Sequence, residues 1–186
     1  SRETTNRHLT EDEYERLVDN SPRWLARVIR WACATGLDRG VIIGLRWADL
    51  ELKRVNGRII SGTIRMVRPK TGKLIKQTLN ERALEALRQA SGVRHKDGII
   101  FLSQNGQRID DRYINRTLDA ALERYGISGV SFRSFRHTFA TRCVKKGIHA
   151  TIIGEMIGDS SASVLERYMH TDEEMHDEAA RLLSEC

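Results

Sequence analysis

The stretch 131–146, SFRSFRHTFATRCVKK, holds the residues best suited to chemistry. At about 100° per residue, Phe132, Phe135, Phe139 and Cys143 fall on one arc of a helix and predict a buried stripe. Arg136 lies at the edge of that stripe. Arg133 is one turn earlier on the same side, farther toward solvent, and His137 continues outward. A guanidinium whose stem packs beside an apolar face is a planar fork held in one orientation, and phosphate recognition requires that geometry. The same spacing also suits a plain amphipathic helix whose cations reach past its core face to water, and the local pattern leaves both readings open.

A second cationic cluster lies upstream. Residues 23–76 carry 13 basic and 3 acidic groups, against 3 and 6 in residues 1–22 and 1 and 6 in residues 171–186. The formal charge of +6 therefore averages a strongly basic body with two acidic ends. Within the body, Pro69-Lys70-Thr71-Gly72-Lys73 is a short turn between β-rich runs. Arg65, Arg68, Lys70, Lys73 and Lys76 around it are spaced to follow a phosphate backbone. A solvated basic sheet edge is the alternative. No RNP-like or KH-like signature supports an RNA-binding module.

Other classes fall away. Cys33, Cys143 and Cys186 are odd in number and widely spaced, which supports neither a disulfide framework nor a cysteine zinc site. The six histidines include no H-E-x-x-H, so no metal and no cofactor is expected. No apolar run approaches the roughly 18 residues needed to span a bilayer, and no signal-peptide pattern opens the chain. The length of 186 residues suits a single domain with one core.

These candidate residues must be positioned by mostly helical elements. Thr10-Glu11-Asp12-Glu13 is a capping-box pattern and predicts a helix over about 10–19. Ser21-Pro22 starts another that Gly36 ends, and 38–47 reads as a third, weakened by Gly40 and Gly44. Short β-rich runs at 58–61, 63–68 and 74–79, separated by Gly62 and Thr71-Gly72, predict a small antiparallel sheet. Helices return at 80–91, 110–125, 131–146, 149–158, 161–169 and 171–184, around a brief apolar Ile99-Ile100-Phe101. The fold class is mainly α with a small antiparallel β-sheet, α+β.

The run SFRSFRHTFATRCVKKGIHATIIGEMIGDSSASVLERYMHT resembles the carboxy-terminal half of the tyrosine recombinases, the phage-integrase family, whose usual pattern is H-x-L-R-H-T-F-A-T, then L-G-H-S-S, then a tyrosine. Ala34-Thr35-Gly36-Leu37 with Leu45-Arg46-Trp47-Ala48-Asp49-Leu50 resembles the family's A-T-G-L-R and downstream L-x-W-x-D. Pro69-Lys70-Thr71-Gly72-Lys73 resembles its hairpin lysine turn, and His8-Leu9-Thr10-Glu11-Asp12-Glu13 the start of its catalytic domain. The resemblance implies the tyrosine-recombinase catalytic-domain fold over 1–186, with the separate amino-terminal core-binding domain absent from this chain. It implies DNA integration by cleavage and rejoining through a 3′-phosphotyrosyl link, without metal or ATP. It also implies a cytoplasmic, nucleoid-associated protein of a bacterium or phage, acting as part of a mobile genetic element.

Carried over residue by residue, the resemblance makes Tyr168 the nucleophile, Arg136 the second arginine and Lys70 the hairpin lysine that protonates the leaving 5′-oxygen. Three positions depart from the pattern. Asp38 stands where the first arginine belongs, Arg133 where a histidine belongs, and Asp159 where a histidine or tryptophan belongs. A unit charge about 4 Å from a phosphate is worth on the order of 4 kcal/mol at an effective dielectric of about 20, so turning attraction into repulsion at residue 38 has a large effect.

Two hypotheses follow. In one, the chain cuts DNA with Tyr168, aided by Arg136, Lys70 and a displaced cation from Arg133 or Arg39, with His137 alongside. In the other, Asp38 or Asp159 pairs with Arg133, closes the site, and leaves a DNA-binding or regulatory protein. The partner in either case is double-stranded DNA. In the family, the segment after the nucleophile often docks on a neighbouring protomer. Residues 171–186, with Met175, Ala179, Leu182 and Leu183 on one helix face, are the segment expected to form a homo-oligomer on DNA; packing on their own domain is the alternative.

Overall fold

The computed structural model describes residues 7–159 and 173–185. The chain opens with α1 (Glu11–Asn20), where Thr10 and Glu13 form the reciprocal capping box. Next comes α2 (Arg23–Thr35), whose residues are buried almost along its whole length, among them Trp31, Leu25 and Ile29. This helix is the axis of the fold and packs against α1, α4 (Glu81–Ala90) and α6 (Phe132–Lys145).

A short α3 (Arg39–Gly44) follows, and it ends earlier than the 38–47 reading expects. The cause is tertiary: Leu45 turns extended, and Trp47 N–H and Leu45 C=O bond to Gly98 C=O and Ile100 N–H at 3.0 Å each. A further helical turn would forfeit those bonds. A 3₁₀ turn at Trp47–Asp49 leads into the sheet.

The sheet has three antiparallel strands in sequential order, β1 (Leu50–Val55), β2 (Arg58–Val67) and β3 (Leu74–Thr78). Here the structure corrects two sequence expectations. Residues 50–55 form a strand that their charged, weakly alternating sequence conceals. Runs 58–61 and 63–68 are one strand, because Gly62 is no turn: it pairs with Leu52 inside the ladder, and a Cβ there would meet the Leu52 side chain at 2.5 Å.

The remaining elements agree with expectation in type and closely in bounds: α5 (Asp111–Arg124), α6, α7 (Ala150–Ile157) and α8 (Glu173–Ser184). The proposed helix at 161–169 lies outside the described residues. Most buried side chains share one core, with a smaller apolar cluster of Phe139, Cys143, Ile153 and Ile157 between α6 and α7.

Two glycines bring these parts together. Gly36 caps α2 at φ +70°, and a Cβ on it would fall 2.3 Å from the Phe139 ring and 2.8 Å from Ile157. Gly158 ends α7 at φ +67°, where a Cβ would meet Ile75 at 2.6 Å. Both positions need a left-handed backbone and no side chain. As a result the end of α2, the end of α7, α6 and the hairpin converge. Gln77, 1% exposed on the inward face of β3, ties the same junction by donating to the carbonyls of Thr35 at 2.9 Å and Met156 at 3.0 Å.

Candidate active site

Arg136 stands at that junction. As the sequence stripe predicts, Phe135, Phe139 and Cys143 of α6 are buried, with Phe132 packed at the core's edge. Arg136 sits one step around the helix, only 12% of its side chain exposed. Its guanidinium is not free. Nη2 donates to Asp159 Oδ2 at 3.3 Å, and Nη1 lies 4.0 Å from Asp38 Oδ2.

Asp38 is held from two sides. Its Oδ1 caps α3 by accepting from Val41 N–H at 3.2 Å, and its Oδ2 accepts from Nη2 of Arg68. Burial by itself pushes the Asp38 carboxyl up. The hydrogen bond and charge of Arg68, the Val41 N–H and the charge of Arg136 outweigh it and hold the group below its ordinary value. Asp38 is therefore ionised at neutral pH, and the chain Arg68–Asp38–Arg136–Asp159 alternates in sign with no net charge.

Arg68 is the residue whose place the sequence reading treats too coarsely. Its position in sequence groups it with Arg65 among cations spaced to follow a phosphate backbone. Strand parity separates the two. Ile64 is buried and Met66 half-buried on the inner face of β2, and Arg68 continues that face, whereas Arg65 and Val67 point outward. The Arg68 side chain is 14% exposed, and its stem passes Gly158. The inner-face period, counted two by two from Ile64, is the signal that finds it. Gln77 carries a similar signal as a polar residue at the inward parity of Ile75 and Leu79.

The other candidates are dispersed. Arg39 turns to α5, with Nε 2.9 Å from Asp111 Oδ1 and Nη1 donating to Asn115 at 2.8 Å. Arg133 is exposed on α6, and the carboxylates join Arg68 and Arg136 instead of Arg133. His137 is half-buried beside Arg136 on the same helix. Lys70 and Lys73 are exposed in the turn between β2 and β3. Arg65 and Lys76 face each other across the ladder on the outer side, a like-charged pair that costs stability and marks this face as basic. Arg65 also lies 3.7 Å from Glu51. Tyr168 lies outside the described residues. Among the described residues, no group of three or more His, Cys, Asp or Glu side chains is placed to hold a metal ion, and no helix is long and apolar enough to cross a membrane.

The model of the phage integrase family matches residues 7–175. Among curated relatives, the integrase of Salmonella phage P22 is 30% identical over 174 residues, covering 88% of this chain and 43% of that protein. The tyrosine recombinase XerC of Thermodesulfovibrio yellowstonii is 28% identical over 148 residues, covering 75% of this chain and 47% of the relative. The chain thus spans less than half the length of these two relatives. Among solved structures, XerA recombinase superposes with a TM-score of 0.70 at 21% identity over 95% of this chain and 63% of that one. A λ integrase dimer bound to a core site gives 0.68 at 23% identity, over 88% and 48%. Its sequence motifs lie in family order on a recombinase catalytic-domain fold, and the family model spans most of its length: the chain belongs to the phage integrase family of tyrosine recombinases.

Proposed function

We propose that this chain is the catalytic part of an enzyme for site-specific DNA integration and recombination. The observation that carries the reading is Arg136, a guanidinium fixed by core packing at the point where the β2–β3 hairpin meets α6 and α7. In this reading the Tyr168 hydroxyl attacks a DNA phosphate. The bond from phosphorus to the tyrosine oxygen forms, and the bond to the 5′-oxygen breaks. The tyrosine hydroxyl gives its proton to solvent water, and Lys70, on the hairpin tip, gives one to the departing 5′-oxygen. Arg136 stabilises the charge gathered on the non-bridging oxygens, and Arg133 and His137 border the site on the same helix. Attack by a 5′-hydroxyl from a second duplex reverses the bond changes and completes exchange.

Duplex DNA is the substrate, and the outward face of the hairpin, with Arg65, Lys73 and Lys76, supports its backbone. Solved relatives include a λ integrase tetramer bound to a Holliday junction and a XerH complex with its substrate before cleavage. By the same reading several copies of this protein assemble on DNA, with residues 171–186 as the contact. Action on DNA of a bacterium or phage places the protein in the cytoplasm, at the nucleoid.

The neutralised cluster favours a second reading, in which the fold binds DNA and regulates without cutting. One experiment separates the two. The full-length protein is incubated with nicked suicide duplexes carrying a site selected by binding, and covalent protein–DNA adducts are resolved on a denaturing gel. An adduct present in the wild type and absent from Tyr168→Phe supports strand exchange. DNA binding without an adduct, accessory factors included, supports the regulatory reading.

A further inference from the structure

The family pattern places an arginine at residue 38, and this chain has an aspartate there. A site with Arg136 alone faces a phosphate with one guanidinium, and that one is already engaged by Asp159 and approached by Asp38. Arg39, the neighbour in sequence, is committed to α5, and Arg133 is exposed. Arg68 is the cation that reaches the place.

We propose that Arg68 supplies the second guanidinium of the phosphate site, and that the Asp38 carboxylate occupies the position of the phosphate between Arg68 and Arg136 until DNA displaces it. This inference rests on the phosphoryl-transfer reading of the site and names a residue that performs it.

The geometry supports each part. A single oxygen, Asp38 Oδ2, faces nitrogens of both guanidiniums, Nη2 of Arg68 and Nη1 of Arg136. An oxygen bonded to one guanidinium and 4.0 Å from a second stands where a non-bridging phosphate oxygen would draw both in. Arg68 is built into position. Its N–H donates to Lys73 C=O at 2.8 Å, its carbonyl accepts from Gly72 N–H at 2.9 Å, and its stem runs 3.8 Å from where a Cβ on Gly158 would stand. Such a guanidinium has lost its freedom before ligand arrives, as a preorganised site requires. The arrangement also accounts for the aspartate at 38. With no arginine at that position, two adjacent half-buried cations need a counter-charge, and Asp38 provides it from the cap of α3. The cap is made by Oδ1, so the oxygen that must yield to phosphate is the other one.

The test uses inorganic phosphate as the probe, with the full-length protein and the arginine Nε–H resonances of Arg68 and Arg136 as readout. Asp38→Asn retains a side-chain oxygen for the cap and removes the competing charge. It is expected to tighten phosphate binding about tenfold, the equivalent of about 1.4 kcal/mol, with both resonances shifting together. Adding Arg68→Gln to Asp38→Asn is expected to abolish that gain, and Arg68→Lys to restore part of it. Circular dichroism establishes that each variant is folded. Equal phosphate affinity for Asp38→Asn with and without Arg68→Gln overturns the proposal, as does an Arg68 resonance that saturating phosphate leaves unmoved. The outcome is separate from strand exchange. A Tyr168 adduct with phosphate binding indifferent to Arg68 defeats this inference alone; phosphate binding that depends on Arg68 without any adduct defeats the strand-exchange reading and upholds this site.

Discussion

Asp38 and Arg68, thirty positions apart in sequence, are joined as an ion pair that links the start of α3 to the end of β2. The pair sits against Arg136, whose own partner is Asp159 at the end of α7. Four elements therefore meet through charge at one point, and that point holds Arg136, the arginine the family resemblance assigns to the site. Opposite charges in such a cluster satisfy one another in the absence of ligand. If the cluster takes a phosphate as proposed, these charges set what it must overcome, and stability and phosphate affinity are then opposed at residue 38.

This opposition gives a pH dependence with a definite sign. The folded Asp38 carboxyl lies below its ordinary value of 3.8, despite burial, because Arg68, the Val41 N–H and Arg136 favour its ionised form. A depressed folded value means that the unfolded chain takes up its proton first. The stabilisation is complete above the unfolded value and is lost as pH falls through the folded one. Asp38→Asn is expected to be less stable than wild type at pH 7 by on the order of 1 kcal/mol, a figure kept small because the side chain is partly open to solvent. Urea unfolding at pH 7, 4 and 3 checks this, with the gap between the two proteins narrowing at the acid end.

Gly36 makes a purely steric prediction. At φ +70° an alanine is strained, and its Cβ would lie 2.3 Å from the Phe139 ring. Strain and overpacking together are expected to cost about 2–4 kcal/mol and lower the melting temperature by about 5–15 °C. Phe139 and Ile157 belong to the small cluster under α6 and α7. Phe139 lies three residues from Arg136 on α6, so if the site binds phosphate as proposed, Gly36→Ala is also expected to weaken that binding. Thermal unfolding and phosphate titration measure the two effects on one sample.

How much of this was legible beforehand depends on what carries each feature. The helices are legible through caps and period: the Thr10–Glu13 box and the phenylalanine stripe of α6 both form, and the helices expected at 80–91 and 110–125 are there. Strand β1 is not, because its residues after Leu50 are mostly exposed and give no alternation to detect. Gly62 misled, since a glycine that makes room for Leu52 looks in sequence like one that makes a turn. Arg136 is legible from its helix face, and Lys70 is distinguished from Lys73 only by the family resemblance. The partners of Asp38 are not legible, because Arg68, Asp38 and Asp159 come together only through tertiary packing at Gly36 and Gly158. The family resemblance offers Arg133 and Arg39 as replacement cations, whereas the structure pairs Arg39 with Asp111 and sets Arg68, at the inner-face parity of β2, against Asp38.

The carboxy-terminal helix offers a test of assembly. On α8, Leu182 and Leu183 are 50% and 73% exposed, so truncating both removes little packing from this chain. Leu182→Ala with Leu183→Ala is expected to leave the melting temperature within about 2 °C of wild type. If residues 171–186 dock on a neighbouring copy, the same change lowers the number of protomers per duplex in analytical ultracentrifugation of the protein–DNA complex. Unchanged stoichiometry assigns the helix to its own domain.

The hairpin gives a prediction that separates backbone tracking from site chemistry. Lys73 and Lys76 are exposed, and Lys76 stands opposite Arg65 on the outer face, free to release counterions from a duplex. Replacing either lysine by glutamine is expected to reduce the slope of log K against log salt by about 0.9, the effect of one phosphate contact. Arg68 is already engaged by Asp38 and only 14% exposed, so Arg68→Gln is expected to change that slope by much less. Fluorescence anisotropy of a labelled duplex between 50 and 200 mM salt provides the comparison. A full unit of slope lost at Arg68 would place it with the lysines along the backbone. A small loss, together with a fall in adduct formation of about 10²–10³ for the same variant, fits a guanidinium aimed at a single reacting phosphate.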